Sequence, residues 1–182
     1  DIHANHIALN TILDFLEQHE IHVILFLGDY TTDCPYPSKT MEILYKCLNK
    51  YTCYFIRGNR EDYLIRHHEN KNDGWTYSSS TGSLLYTYKN LSEQDLNFFK
   101  SMPVSMKVQI KDYEPIFICH GSPINTKEWL YKNDELITQY IKDIDCNYFL
   151  FGHTHNTYET ILNDKRVIFC PSAGLPVNNN CD

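Results

Sequence analysis

Short apolar runs recur along the chain, and four of them stop at a glycine or a histidine that opens a polar motif. HVILFL (22–27) runs into Gly28-Asp29, and CYFIR (53–57) runs into Gly58-Asn59-Arg60. IFIC (116–119) meets His120-Gly121, and YFLF (148–151) meets Gly152-His153-Thr154-His155. Apolar runs of about 4 to 8 residues, rich in β-branched and aromatic side chains, read as buried strands of a parallel sheet. Strands are therefore predicted over 22–27, 52–57, 115–119 and 147–151. Between them the period changes. Ala8, Leu9, Ile12, Leu13 and Leu16 fall on one helical stripe, predicting a helix over 5–19. The loop TTDCPYP follows Tyr30, its two prolines opposing regular structure. Ser38 is placed to cap a second helix with Met41, Leu44, Tyr45 and Leu48 inward. A further helix is predicted over 62–69, and Ser92-x-x-Asp95 reads as a capping box for a helix that ends before Pro103. Val104, Met106, Val108 and Ile110 alternate as in a half-buried strand. Leu136, Ile137, Tyr140, Ile141 and Ile144 mark another helix, and 158–162 and 166–170 form a hairpin through Asn163-Asp164-Lys165. The tract KNDGWTYSSSTGS (71–83) has two readings: a surface loop pinned by Trp75 and Tyr77, or a flap over a site that helps to select substrate. Strands alternating with helices, then a β-rich end, predict two packed sheets flanked by helices.

In open parallel sheets ligands sit beyond the carboxyl ends of the strands. The groups after the four strands, together with Asp1-Ile2-His3, would therefore converge on one edge of one sheet. All are oxygen or imidazole donors: Asp1, His3, Asp29, Asn59, His120, His153 and His155. A lone Gly-Asp is usually only a turn, but five such motifs, four at strand ends, make a metal site. Seven ligands exceed what one ion needs if it is to keep a position open for substrate. They suit two ions sharing a carboxylate, the arrangement that clamps attacking and leaving oxygens in phosphoryl transfer with ions about 3.5–4 Å apart. Mixed imidazole and carboxylate donors favour Mn, Fe, Co, Ni or Zn over Ca or Mg, with Mn placed first. No cysteine pair has the spacing of a structural zinc site.

The order DxH, GD, GN, HG and GHxH over 1–176 resembles the calcineurin-like metallophosphoesterase superfamily, most closely its small bacterial and archaeal phosphodiesterase branch. The resemblance implies a four-layer αββα sandwich of two mixed sheets in a single domain spanning 1–182. It implies one metal on Asp1, His3, Asp29 and His155, and a second on Asn59, His120 and His153 with Asp29 bridging. It also implies a strand before Asp1 and further strands after Pro176, so the chain is expected to be a segment of a longer protein. The activity it implies is hydrolysis of a phosphodiester or small nucleotide phosphoester by a metal-bridging hydroxide, with Asp29 and Asn59 as catalytic residues, to which this chain's own sequence adds Arg60 as a departure from the family pattern. Many relatives carry a histidine where this chain has Arg60. Guanidinium stays protonated, so Arg60 is expected to bind a phosphoryl oxygen, with Glu61 orienting it, and not to act as a general acid.

Composition narrows the partners. The 182 residues are 42% hydrophobic and 21% charged, enough for one core-forming domain, and no apolar run approaches the roughly 18 residues of a membrane span. A formal charge of −7 argues against a nucleic-acid-binding surface, although bound dications would still admit a small nucleotide. Seven scattered cysteines (34, 47, 53, 119, 146, 170 and 181) fit a reducing cytoplasm. His6, His19, His22, His67 and His68 are read as solvated histidines, Tyr30 and Tyr36 as packing groups ahead of pocket walls, and Trp129 as core or interface ahead of a substrate platform. A protein phosphatase is disfavoured because GDYTTDC lacks the arginine that such enzymes carry. The rival from another class is a non-catalytic protein-binding scaffold, the role of the retromer subunit built on the same fold.

Overall fold

The computed structural model of the protein describes residues 1–132 and 135–177; Cys181 lies outside them. In chain order the elements are α1 (His6–Gln18), β1 (Val23–Phe26), α2 (Pro37–Lys50), β2 (Thr52–Phe55), α3 (Asn59–Glu69), α4 (Gly82–Lys89) and α5 (Glu93–Ser101), then β3 (Ser105–Val108), β4 (Ile116–Cys119), α6 (Glu135–Ile141), β5 (Tyr148–Phe151), β6 (Tyr158–Leu162) and β7 (Lys165–Phe169). β1 and β2 pair in parallel across the α2 crossover. The second sheet has the order β3-β4-β5-β7-β6 and is mixed: β4, β5 and β7 run parallel, with β3 and β6 antiparallel at its edges.

Strand alternation assembles the layers. Ile24 and Phe26 of β1, with Cys53 and Phe55 of β2, point to one face and pack under Leu9, Met41, Leu44, Leu64 and Phe99 of the helices. Leu25 and Tyr54 point the other way, meeting Met106, Ile116, Ile118 and Leu150 of the second sheet. The far face of that sheet, with Phe149, Phe151, Val167 and Phe169, is covered by Ile137 and Ile141 of α6. Helices, sheet, sheet and helix make the four-layer sandwich. Each large side chain fully withdrawn from water contributes about 1.5–3 kcal/mol, so burial on both faces is what demands the continuous apolar runs. The hairpin turn is equally well specified. Asn163 (φ 51°) and Asp164 (φ 61°) both adopt left-handed backbone, as the two-residue primed turns require.

Several expectations need correction. Pro37 opens α2 instead of barring it, since the first turn has no use for its missing N–H. Ser38 gives its hydroxyl to the Asn90 carbonyl at 2.7 Å and caps nothing. Leu48 and Ile12 are exposed, so the apolar stripes of α2 and α1 are narrower than their period suggested. α4 lies in the stretch 60–90, where no helix after 69 was anticipated. His67 is not solvated: it is buried, stacks on Trp75 with centroids 4.0 Å apart, and its Nδ1 lies 2.8 Å from Asp73 Oδ1. That stack pins the 71–83 tract to α3, which favours the surface-loop reading. No described helix is long and apolar enough to cross a membrane.

Candidate metal centre

The motifs meet where the carboxyl ends of β1 and β2 face those of β4 and β5, so the site lies between two sheets and not on the edge of one. Gly28-Asp29 follows β1, Asn59 is the first residue of α3, His120 follows β4, and His153 and His155 follow β5. The N-terminal segment joins through its backbone, with Ile2 and His3 N–H donating to the Asp29 carbonyl at 2.8 and 3.0 Å. His120 Nδ1 reaches across to the Leu27 carbonyl at 2.7 Å and ties the sheets together. Close approach is permitted by glycine. A Cβ on Gly58 would sit 2.2 Å from Asp29 Oδ1, and one on Gly28, at φ 92°, would sit 2.5 Å from the Gly58 nitrogen.

All seven predicted ligands are brought together. Asp1, His3 and His155 form one cluster and Asp29, His120 and His153 another, with donor atoms in each within 4.8 Å of one another. His3 Nε2 and His155 Nε2 are 3.1 Å apart, and Asp1 Oδ1 lies 3.5 Å from His155 Nε2 and 3.7 Å from His3 Nε2. Asn59 Oδ1 stands 3.0 Å from His120 Nε2. Asp29 Oδ2 is 3.4 Å from His120 Nε2 and 3.9 Å from His3 Nε2, between the clusters. Donors held about 2.0–2.2 Å from one ion lie about 3–3.5 Å from each other, and the shorter separations here, 3.0 to 3.5 Å, match that spacing.

The hydrogen bonds behind these donors test the fit. His3 Nδ1 faces Asp33 Oδ2 at 2.9 Å, His120 Nδ1 the Leu27 carbonyl, and His155 Nδ1 the Leu175 carbonyl at 2.8 Å. Each partner accepts only, so each Nδ1 carries a ring proton and Nε2 is the ring atom turned inward. Such outer partners orient metal-ligating histidines. Two Nε2 atoms 3.1 Å apart, and a third 3.0 Å from the Asn59 oxygen, are arrangements that a shared cation would stabilise. Asp1 Oδ1 and His153 Nε2 are buried without a hydrogen-bond partner, as ligand atoms would be. Burial and neighbouring imidazoles hold His153 and His155 down at about 4, so both are neutral and free to coordinate. Burial opposes ionisation of Asp29, but His120, His3 and the Arg60 N–H together keep its carboxyl below the usual range.

The surrounding residues hold a strained backbone in place. His3, Ala4, Asp29, Asp33, His153 and His155 all have φ between 52° and 75°, each at about 1–3 kcal/mol. Glu61 is the brace. Fully buried, its carboxylate accepts from the N–H groups of Gly58 (2.8 Å), Asp29 (2.8 Å) and Tyr30 (2.9 Å). Burial, then the charge of Asp29, raises its pKa, against the pull of those three donors. It therefore locks the two Gly motifs to each other and does not orient Arg60. That task falls to Asp33, whose Oδ2 is 3.3 Å from Arg60 Nη2. Asp33 was not anticipated, though its place four residues after Asp29 in the same loop was a signal. It lies at about 2, with burial outweighed by His3, Arg60 and Thr32. Trp129 is not a core residue: it is 52% exposed, its ring is 4.7 Å from that of His153, and it belongs to none of the core clusters. His3, Asp29, Asn59, Arg60, Trp129 and His155 share a cavity of about 170 Å³.

Comparison with known proteins agrees with this fold. The family model for calcineurin-like phosphoesterases matches residues 1–157. An uncharacterized protein of Methanocaldococcus jannaschii is 30% identical over 160 residues, 85% of this chain and 60% of that protein, so the chain spans about three-fifths of that relative. A hypothetical protein from Pyrococcus horikoshii superposes with a TM-score of 0.83 at 18% identity, over 97% of this chain and 75% of that one. A metallophosphoesterase from Sphaerobacter thermophilus gives 0.72 at 19% identity, over 99% and 77%. The two structures share the sandwich, and the family match spans every motif from Asp1 to His155: the chain belongs to the calcineurin-like phosphoesterase family.

Proposed function

We propose that this chain carries the active site of a two-metal phosphoesterase that hydrolyses a phosphodiester or a small nucleotide phosphoester. The observation that carries the reading is the pair of donor clusters with Asp29 Oδ2 between them. Asp1, His3 and His155 would hold one divalent ion, Asn59, His120 and His153 the other, and Asp29 would bridge. Manganese heads the candidates, with Fe, Co, Ni and Zn behind it, because four imidazoles together with carboxylates suit such ions. When bound, such ions supply an acidified water and neutralise phosphoryl charge.

The chain's own groups supply the rest. Arg60, half-exposed at the mouth of the cavity and held by Asp33, offers forked N–H donors to a phosphoryl oxygen. It stays protonated at any working pH and cannot protonate a leaving group. This favours diesters and phosphates with acidic leaving groups. Free thiols at all six described cysteines accord with a cytoplasmic setting. The reading is tested by assaying bis-p-nitrophenyl phosphate hydrolysis with Mn, Fe, Co, Ni and Zn in turn. Metal-dependent turnover is expected. A metal-replete protein inert towards a broad phosphoester panel would favour the scaffold role instead.

A further inference from the structure

Trp129 is an exposed aromatic side chain that lines the cavity of the candidate ligands, on a loop anchored at several points. The loop 121–130 is closed by its own hydrogen bonds, with Ser122 N–H on the Asn125 carbonyl at 2.9 Å and Lys127 N–H on Asn125 Oδ1 at 3.0 Å. Gly121 lies so close to this loop that a Cβ there would be 2.7 Å from the Asn125 carbonyl oxygen. Thr126 and Leu130 anchor the loop on either side of Trp129, at 3% and 1% exposure, and the Thr126 hydroxyl donates to Asp62 Oδ2 at 2.6 Å. A rigid, anchored backbone thus leaves one indole in water. Its centroid lies 4.7 Å from that of the His153 ring, with the planes tilted by 53°, and 6.2 Å from that of Tyr131, with the planes 23° from parallel. The indole and Arg60 line the same cavity.

We infer that Trp129, backed by Tyr131, is a stacking platform for a flat ring in the substrate, so that the phosphoester bound here carries a nucleobase or another aromatic group. The inference rests on the phosphoesterase reading and names its substrate class. Stacking explains why an indole is held at the site in the open. An exposed tryptophan loses apolar burial, and a planar π-face recovers it when a ring lies on it. With Arg60 on the phosphoryl group and the ring on Trp129, the ester would be gripped at both ends. The surface is sequence-tolerant in the sense that any base has a face to offer, so the expected selectivity is for a ring over no ring.

Binding tests this without relying on turnover. The chain has two tryptophans, Trp75 and Trp129, so a Trp75→Phe variant reports from Trp129 alone. Titration with AMP should quench its fluorescence saturably, whereas ribose 5-phosphate should bind weakly and quench little. Trp129→Leu, followed calorimetrically, should weaken AMP binding by roughly 5- to 150-fold, the range of one base–aromatic stack, with ribose 5-phosphate affected far less. Trp129→Tyr should recover most of the loss. AMP and ribose 5-phosphate binding alike, or AMP affinity unmoved by Trp129→Leu, would overturn the platform even if bis-p-nitrophenyl phosphate is hydrolysed. Conversely, AMP binding that follows this pattern in a protein that hydrolyses no phosphoester would uphold the platform and sink the phosphoesterase.

Discussion

Arg60 carries the difference between this site and one with a histidine in the same place. Its guanidinium sits 3.3 Å from Asp33 and 4.0 Å from Asp29 Oδ2, close enough to be aimed and exposed enough to meet a substrate. Arg60→Ala should raise KM or lower kcat for an aryl diester while the metal content stays at the wild-type level. On the proposed mechanism, with Arg60 in place of a general acid, the wild-type protein should turn over alkyl monoesters about 10²–10⁴-fold more slowly than esters with acidic leaving groups. Similar chemical-step rates for alkyl and aryl esters would show that another residue gives the proton. The seven candidate donors that come together here were legible in the sequence because a metal would constrain residue type directly. Glu61, Asp33 and Trp129 were not. Their roles depend on which N–H groups, rings or cavities fold next to them, and Glu61 beside Arg60 in sequence gave no sign that its carboxylate turns inward to Asp29.

The elements that deliver these residues are strand ends and the turns after them. β1 and β2 are four residues long, so the Gly28 and Gly58 turns lie almost in contact, with Glu61 clamping both. Gly58→Ala would drive a Cβ to 2.2 Å from Asp29 Oδ1 and 2.6 Å from its backbone nitrogen. Overpacking of this kind costs about 1–3 kcal/mol, and at this chain length each kcal/mol lowers Tm by about 2–4 °C. The variant should therefore melt several degrees lower and bind metal more weakly, read by a thermal scan with and without Mn. An unchanged Tm and metal affinity would show that the two turns have room to separate. Strands were readable because burial on both faces leaves only apolar positions. α4 was not: GSLLYTYK carries no helical stripe, and it is held by contacts to the distant loop after β1, with Thr87 donating to the Thr31 carbonyl at 3.0 Å and Ser83 to Asp33 at 3.1 Å.

Across the whole molecule the centre draws on residues from Asp1 to Leu175, and no part of it is local. Ser172 Oγ and the Ala173 N–H hold the Asp1 carbonyl at 3.0 and 2.9 Å, while Leu175 fixes His155. Metal binding should accordingly be coupled to folding. The chain's charge of −7 would repel an anionic ester, and two dications at this one place would reverse the potential there. Everything in this account turns on two ions sharing Asp29. The most direct test is electron paramagnetic resonance of the protein titrated with Mn(II). Two equivalents should bind and give a spin-coupled spectrum, which in Asp29→Asn should collapse to an isolated six-line signal at reduced occupancy. An uncoupled six-line spectrum from the wild-type protein at one ion per chain, or an Asp29→Asn protein that still binds a coupled pair at wild-type affinity, would contradict it.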